Sequence, residues 1–132
     1  MNGYQALCYQ YAHILKGKMK LEDGVCSVEI KRNLDVSIQG RPSKGEVGAE
    51  LSFESLDHQG NALNLGETVL LEEEIPLFIQ MLVKNGITIS ALHNHWLFAK
   101  PHILYIHFQS VEPPLSFAQK AAEAFNAIKM YG

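Results

Sequence analysis

Apolar positions along this chain change period several times, and each change marks an element. Tyr4, Leu7, Cys8, Tyr11, Ala12 and Leu15 recur at helical spacing, with Gly17 closing the helix. From Cys26 the period becomes two: Cys26, Val28 and Ile30 alternate with Ser27, Glu29 and Lys31, and Leu34, Val36 and Ile38 repeat the pattern. After a turn cluster at Arg41-Pro42-Ser43-Lys44-Gly45, the series Val47, Ala49, Leu51, Phe53 predicts another strand. Leu63 to Leu71 predicts a further one, with Gly66 read as a bulge or bend. A helix over about Glu73 to Asn85 follows, its core stripe formed by Ile75, Phe78, Ile79, Leu82 and Val83. Pro76 fits only in its first turn, Glu72-Glu73-Glu74 suits the positive end of its dipole, and Asn85-Gly86 stops it. Two strands come next, Ile87 to His95 and about Ile103 to Gln109. Ser116 and Gln119 then have the spacing of a capping box opening a last helix.

The order α-β-β-β-β-α-β-β-α predicts an α+β fold, a mostly antiparallel sheet with helices packed on one face. At 132 residues, with no linker and no internal repeat, the expectation is one domain over residues 1–132. A formal net charge of −3 disfavours a nucleic-acid partner. No apolar run reaches the roughly 20 residues of a membrane span, and the N-terminus has neither the charged nor the apolar region of a signal peptide. No membrane partner is therefore expected. Two cysteines are too few for a disulfide framework, so Cys8 and Cys26 are read as buried thiols of a cytoplasmic protein.

The chemistry concentrates in Ile87-Thr88-Ile89-Ser90-Ala91-Leu92-His93-Asn94-His95-Trp96. On a regular strand residues 87, 89, 91, 93 and 95 share a face, so His93 and His95 project together. If Ile103–Gln109 returns as the partner strand, His107 sits opposite His93 on that face. Three convergent imidazoles are how a protein holds a catalytic metal with one position open, so His93, His95 and His107 are candidate ligands of a divalent metal, zinc first. The alternative is a hydrogen-bonded histidine cavity without metal. Glu74, at the start of the helix before this strand, is the candidate fourth ligand or general base; its other reading is a carboxylate serving only the helix dipole. Trp96, Leu97 and Phe98 can wall a small-molecule pocket or mark an oligomer contact. Asn94, Trp96 and Tyr105 are the candidate ligand contacts. His102 is expected on the other face from His107, and His13 and His58 in solvent. No nucleophile elbow, phosphate loop or dinucleotide turn is present, which disfavours those enzyme classes.

The residues Gly66-Glu67-Thr68-Val69-Leu70, Glu74, Asn85-Gly86-Ile87, Ala91-Leu92-His93-Asn94-His95, Pro101 and Ile106-His107-Phe108 resemble the LppY/LpqO-like family, from about Gly17 to Phe125. The resemblance implies a compact bacterial domain, found in some members on secreted lipoproteins, and brings no established activity. It places His93, Asn94, His95, His107 and Glu74 on the family's motif. The chain departs from it at Pro76, one residue early, and at Asn33, where the family favours Asp. The combined expectation is a histidine-lined, metal-binding pocket for a small molecule, hydrolytic in the enzyme reading, in a homodimer. The alternative is a non-catalytic ligand-binding or oligomeric protein with a structural histidine cluster.

Overall fold

The computed structural model describes residues 2–45 and 47–129. Helix α1 (Gly3–Leu15) is capped by Asn2, whose side-chain oxygen accepts from the Gln5 amide at 2.7 Å. The strands β1 (Lys18–Glu22), β2 (Val25–Lys31), β5 (Gly48–Glu54), β6 (Ala62–Leu71), β7 (Thr88–His93) and β9 (Ile103–Glu112) form one antiparallel sheet in the order β1-β2-β5-β6-β9-β7. The short strands β3 (Val36–Ile38), β4 (Arg41–Ser43) and β8 (Ala99–Lys100) form a second, in the order β4-β3-β8. Helices α2 (Ile75–Lys84) and α3 (Pro114–Ala127) complete the α+β fold, and a 3-10 turn at Glu72–Glu74 precedes α2. The expected element order stands, with three further short strands, β1, β4 and β8, interleaved. Pro76 falls in the first turn of α2, where its missing N–H costs nothing.

The two faces of the large sheet have different fates, and this positions the site. One face carries Cys26, Val28, Leu51, Phe53, Leu70, Ile106 and Phe108, all buried beneath the three helices with Tyr11, Phe78, Leu82 and Phe117. The opposite face is covered at one end only. There Val69, Leu71, Ile103 and Tyr105 bury against Val36 and Val47, with Leu34, Ile38 and Ala99 packed alongside. The remainder of that face is open and carries a row in register across five strands: Lys18, Glu29, Glu50, Glu67 and His107.

Several expectations need correction. Gly66 is in regular register, with Leu51 and Phe108 on either side; a Cβ there would stand 2.4 Å from the Phe108 ring, so glycine makes room for the aromatic. Ser116 does not cap α3. That helix starts two residues earlier at Pro114, whose fixed φ suits a first turn, and the Ser116 hydroxyl donates instead to Glu112 at 2.9 Å. Cys8 and Cys26 are not free thiols: they form a disulfide, both fully buried, tying α1 to β2. The two residues lie 18 apart in different elements, so spacing alone carries no sign of the pairing.

Candidate functional site

The site is set by an irregularity in β7. Ile89 stands opposite Phe108, but Ala91 stands opposite His107, so Ser90 is an extra residue without a counterpart: a β-bulge. The bulge reverses the alternation. Ile87 and Ile89 remain in the helix-covered core, whereas Ala91 and His93 turn to the open face with His107. The expectation that residues 87 to 95 share one face is thereby corrected. So is the expected register: His93 pairs with Tyr105, not His107. The two histidines are diagonal neighbours, a separation long side chains span.

They span it closely. The Nε2 atoms of His93 and His107 are 3.1 Å apart, with ring planes inclined by 11° and centroids 5.1 Å apart. Near-parallel rings with these separations meet edge to edge. The outer nitrogens decide the chemistry. Nδ1 of His93 lies 3.1 Å from the carbonyl oxygen of Asn94, a group that only accepts, so this nitrogen carries hydrogen and donates. Nδ1 of His107 faces the Glu67 carboxylate at 3.6 Å, which favours hydrogen on that nitrogen too. With hydrogen on its Nδ1, His93 presents its Nε2 lone pair to His107. The 3.1 Å contact is then either a hydrogen bond donated by His107 Nε2–H or, with hydrogen on Nδ1 of both rings, a pair of lone pairs that a proton or a metal ion would bridge. Two nitrogens each 2.0–2.1 Å from one tetrahedral ion lie about 3.3–3.4 Å apart, a few tenths of an ångström more than observed.

His95 joins them without closing the set. Its ring centroid is 5.3 Å from that of His93, 4.4 Å from that of Tyr105 and 5.5 Å from that of Trp96, and the residue is exposed. Among the described residues no three His, Cys, Asp or Glu side chains are arranged as a metal-holding group. The sequence-predicted trio is thus gathered in one place, with His93 and His107 in nitrogen contact and the His95 ring beside His93, tilted by 46°.

Glu74 lies elsewhere. Leu71, just before its turn, is four residues along β6 from Glu67, or about 13 Å at ~3.3 Å per residue. The Glu74 side chain is fully buried and both its oxygens accept from Arg32 at 2.6 Å, while Oε1 also accepts from the Leu71 amide at 2.8 Å. The carboxylate that reaches the histidines is Glu67, opposite His107 in the ladder. Alternation along Leu63–Leu71 puts Glu67 on the face of Val69 and Leu71, but only the β6–β9 pairing, invisible in the sequence, brings it to His107.

Asn94 has two contacts. Its backbone oxygen holds His93, and its side-chain oxygen lies 3.0 Å from Nε2 of His102, whose Nδ1 is 2.6 Å from Glu72. His102 precedes β9, exposed and tied to this loop rather than facing away on a strand. Trp96 is half exposed, and Tyr105 is buried at the boundary between the covered and open parts of the face. His13 and His58 are exposed, as expected. Two open clefts adjoin the site: one of ≈ 340 Å³ lined by Lys31, Lys44, Glu50, Glu67 and Tyr105 among others, and one of ≈ 240 Å³ reaching His107.

Fold and site together define an α+β domain with an open-faced antiparallel sheet and a histidine cluster set by a bulge. The chain belongs to the family described as Domain of Unknown Function (DUF1259), whose model matches residues 9–127. No curated protein and no solved structure matches.

Proposed function

We propose that the histidine cluster is a divalent-metal site, with His93 and His107 as ligands through Nε2, His95 as the third ligand, and Glu67 orienting His107. The observation that carries this reading is the pair of opposed Nε2 atoms, each with an acceptor behind its own Nδ1, an outer-shell arrangement typical of metal-ligating histidines. Closing the set requires His95 to leave its contact with Tyr105 and turn toward His93, a side-chain rotation in an exposed residue. A metal held there would lie beside the clefts lined by Glu67, where a small molecule could reach it, and the nearby loop residues Asn94 and Trp96, with Tyr105, would be its further contacts. With water as a further ligand of the metal, the chemistry available is metal-assisted hydrolysis. The narrower kinship with LppY/LpqO-like proteins, carried by Leu92-His93-Asn94-His95, belongs to the same proposal. So does the location: a buried disulfide at Cys8–Cys26 fits an oxidising compartment better than the cytoplasm expected from cysteine count.

A second reading rests on the same 3.1 Å contact. The two rings share a proton, and the cluster is a structural hydrogen bond without metal.

Calorimetric titration of tag-free protein with zinc, manganese, nickel and ferrous iron separates the two. The metal reading predicts near-stoichiometric binding, abolished in His93→Ala and in His107→Ala and weakened about 10–100-fold in Glu67→Gln. Absence of binding by the native chain leaves the shared-proton reading.

A further inference from the structure

One end of the molecule combines features that the histidine cluster does not use. Trp96, Leu97 and Phe98 are 45%, 68% and 73% exposed, three consecutive large apolar side chains in water. Single exposed apolar residues are ordinary; a contiguous run on a loop tip is not. Phe98 is moreover in the left-handed region at φ 60°, which a bulky side chain avoids. It is held there because its carbonyl accepts from the Gln39 amide at 3.0 Å and the next residue, Ala99, pairs with Ile38. The small sheet thus fixes the tip in its exposed position, at a conformational cost the local sequence does not relieve.

The charges next to the tip are cationic: Arg41 and Lys100 are both exposed, and the runs 36–43 and 94–103 hold no Asp or Glu. In sequence Asp35 precedes the first run and Glu46 follows it beyond Lys44, which lines the cleft with Glu29, Glu50 and Glu67. The chain's net charge is −3, so without Arg41 and Lys100 the rest carries −5. Strand pairing puts Arg41 and Lys100 beside the tip: Arg41 lies across from Ile38, which lies across from Ala99, and Ser37 lies between Pro42 and Lys100. The carboxylate that reaches this end from outside, Glu72, is engaged by His102.

We propose that this end docks on an anionic lipid surface, Trp96, Leu97 and Phe98 entering the boundary between headgroups and acyl chains while Arg41 and Lys100 meet lipid phosphates. An aromatic and aliphatic tip with cations at its shoulders matches the chemistry of that interface. A second copy of the chain fits it less well, since a two-fold contact sets each patch against its own image and brings like charges together. No described helix is long and apolar enough to cross a membrane, and a surface contact needs none. The proposal departs from the sequence-based expectation of no membrane partner, which rested on the absence of an apolar span and of signal-peptide features, neither of which a surface contact needs. The proposal does not depend on the metal reading.

Trp96 is the only tryptophan, so it reports its own environment. The test is co-sedimentation of the full chain with vesicles of phosphatidylcholine alone, or with phosphatidylglycerol as about a third of the lipid, while Trp96 emission is recorded. The expected result is binding to the anionic vesicles, a blue shift of Trp96, and affinity at least about tenfold lower in Leu97→Ser/Phe98→Ser and in Arg41→Gln/Lys100→Gln. Circular dichroism verifies that both variants are folded. Failure to sediment, an unshifted Trp96, or equal binding to both vesicle types overturns the proposal. So does light scattering that shows a dimer dependent on Leu97 and Phe98 in a chain that ignores vesicles.

Discussion

Arg32 and Glu74 stand 42 residues apart and meet as a two-pronged ion pair, both carboxylate oxygens 2.6 Å from guanidinium nitrogens, with Glu74 fully buried and Arg32 9% exposed. The same guanidinium donates to the carbonyl of Val69 at 3.0 Å, so the pair clamps the end of β2 to the end of β6 and the turn before α2.

Removing one partner leaves the other as an uncompensated buried charge. Glu74→Ala or Arg32→Ala should each lower stability by about 3–5 kcal/mol, whereas Arg32→Met/Glu74→Leu should recover most of that loss. Urea denaturation measures both. Metal binding by the folded double variant should match that of the native chain, which separates this clamp from the histidine cluster.

The disulfide gives a second expectation. Denatured, unreduced protein made under oxidising conditions should show no titratable thiol, and Cys8→Ala/Cys26→Ala should lose about 2–4 kcal/mol of stability. Two thiols per chain in that assay would contradict the pairing.

How much could be read beforehand follows from where the information lies. The period-two runs and the Asn85-Gly86 stop are local, and the strands and α2 follow from them. β1 does alternate, Met19 and Leu21 between Lys18, Lys20 and Glu22, but with two apolar positions its pattern is too short to stand out, and β4, Arg-Pro-Ser, has no apolar pattern to read. The histidine trio was legible because His93 and His95 are two residues apart, at and just past the end of β7, and His107 lies on the next long strand. The Ser90 bulge was not, since an extra residue in a strand has no composition of its own. Glu67 and the Arg32–Glu74 pair depend on strand pairing and on contacts across 42 residues, which local pattern does not encode.

Glu112 supplies a pH dependence. Partial burial raises its pKa, but hydrogen bonds from Lys120, Ser110 and Ser116, with the charge of Lys120, outweigh this and the net value lies below the ordinary 4.5. A carboxyl group lowered on folding contributes stability that is present above its unfolded value and lost as pH falls through the folded one. Glu112→Gln should therefore cost ~1 kcal/mol near neutrality, discounted because Lys120 is about a third exposed, and nothing at low pH. Thermal melts from neutrality down into the acid range should show the two proteins converging. A gap that persists in acid would contradict the assignment.

The most direct test of the central claim is the protonation state of His93 and His107, read by long-range proton–nitrogen NMR on labelled protein before and after zinc is added. The metal reading predicts that zinc brings both rings to the Nδ1–H form, with the two Nε2 resonances shifted together and His95 following. A spectrum unchanged by zinc, with one proton still shared between the two Nε2 atoms, would contradict it.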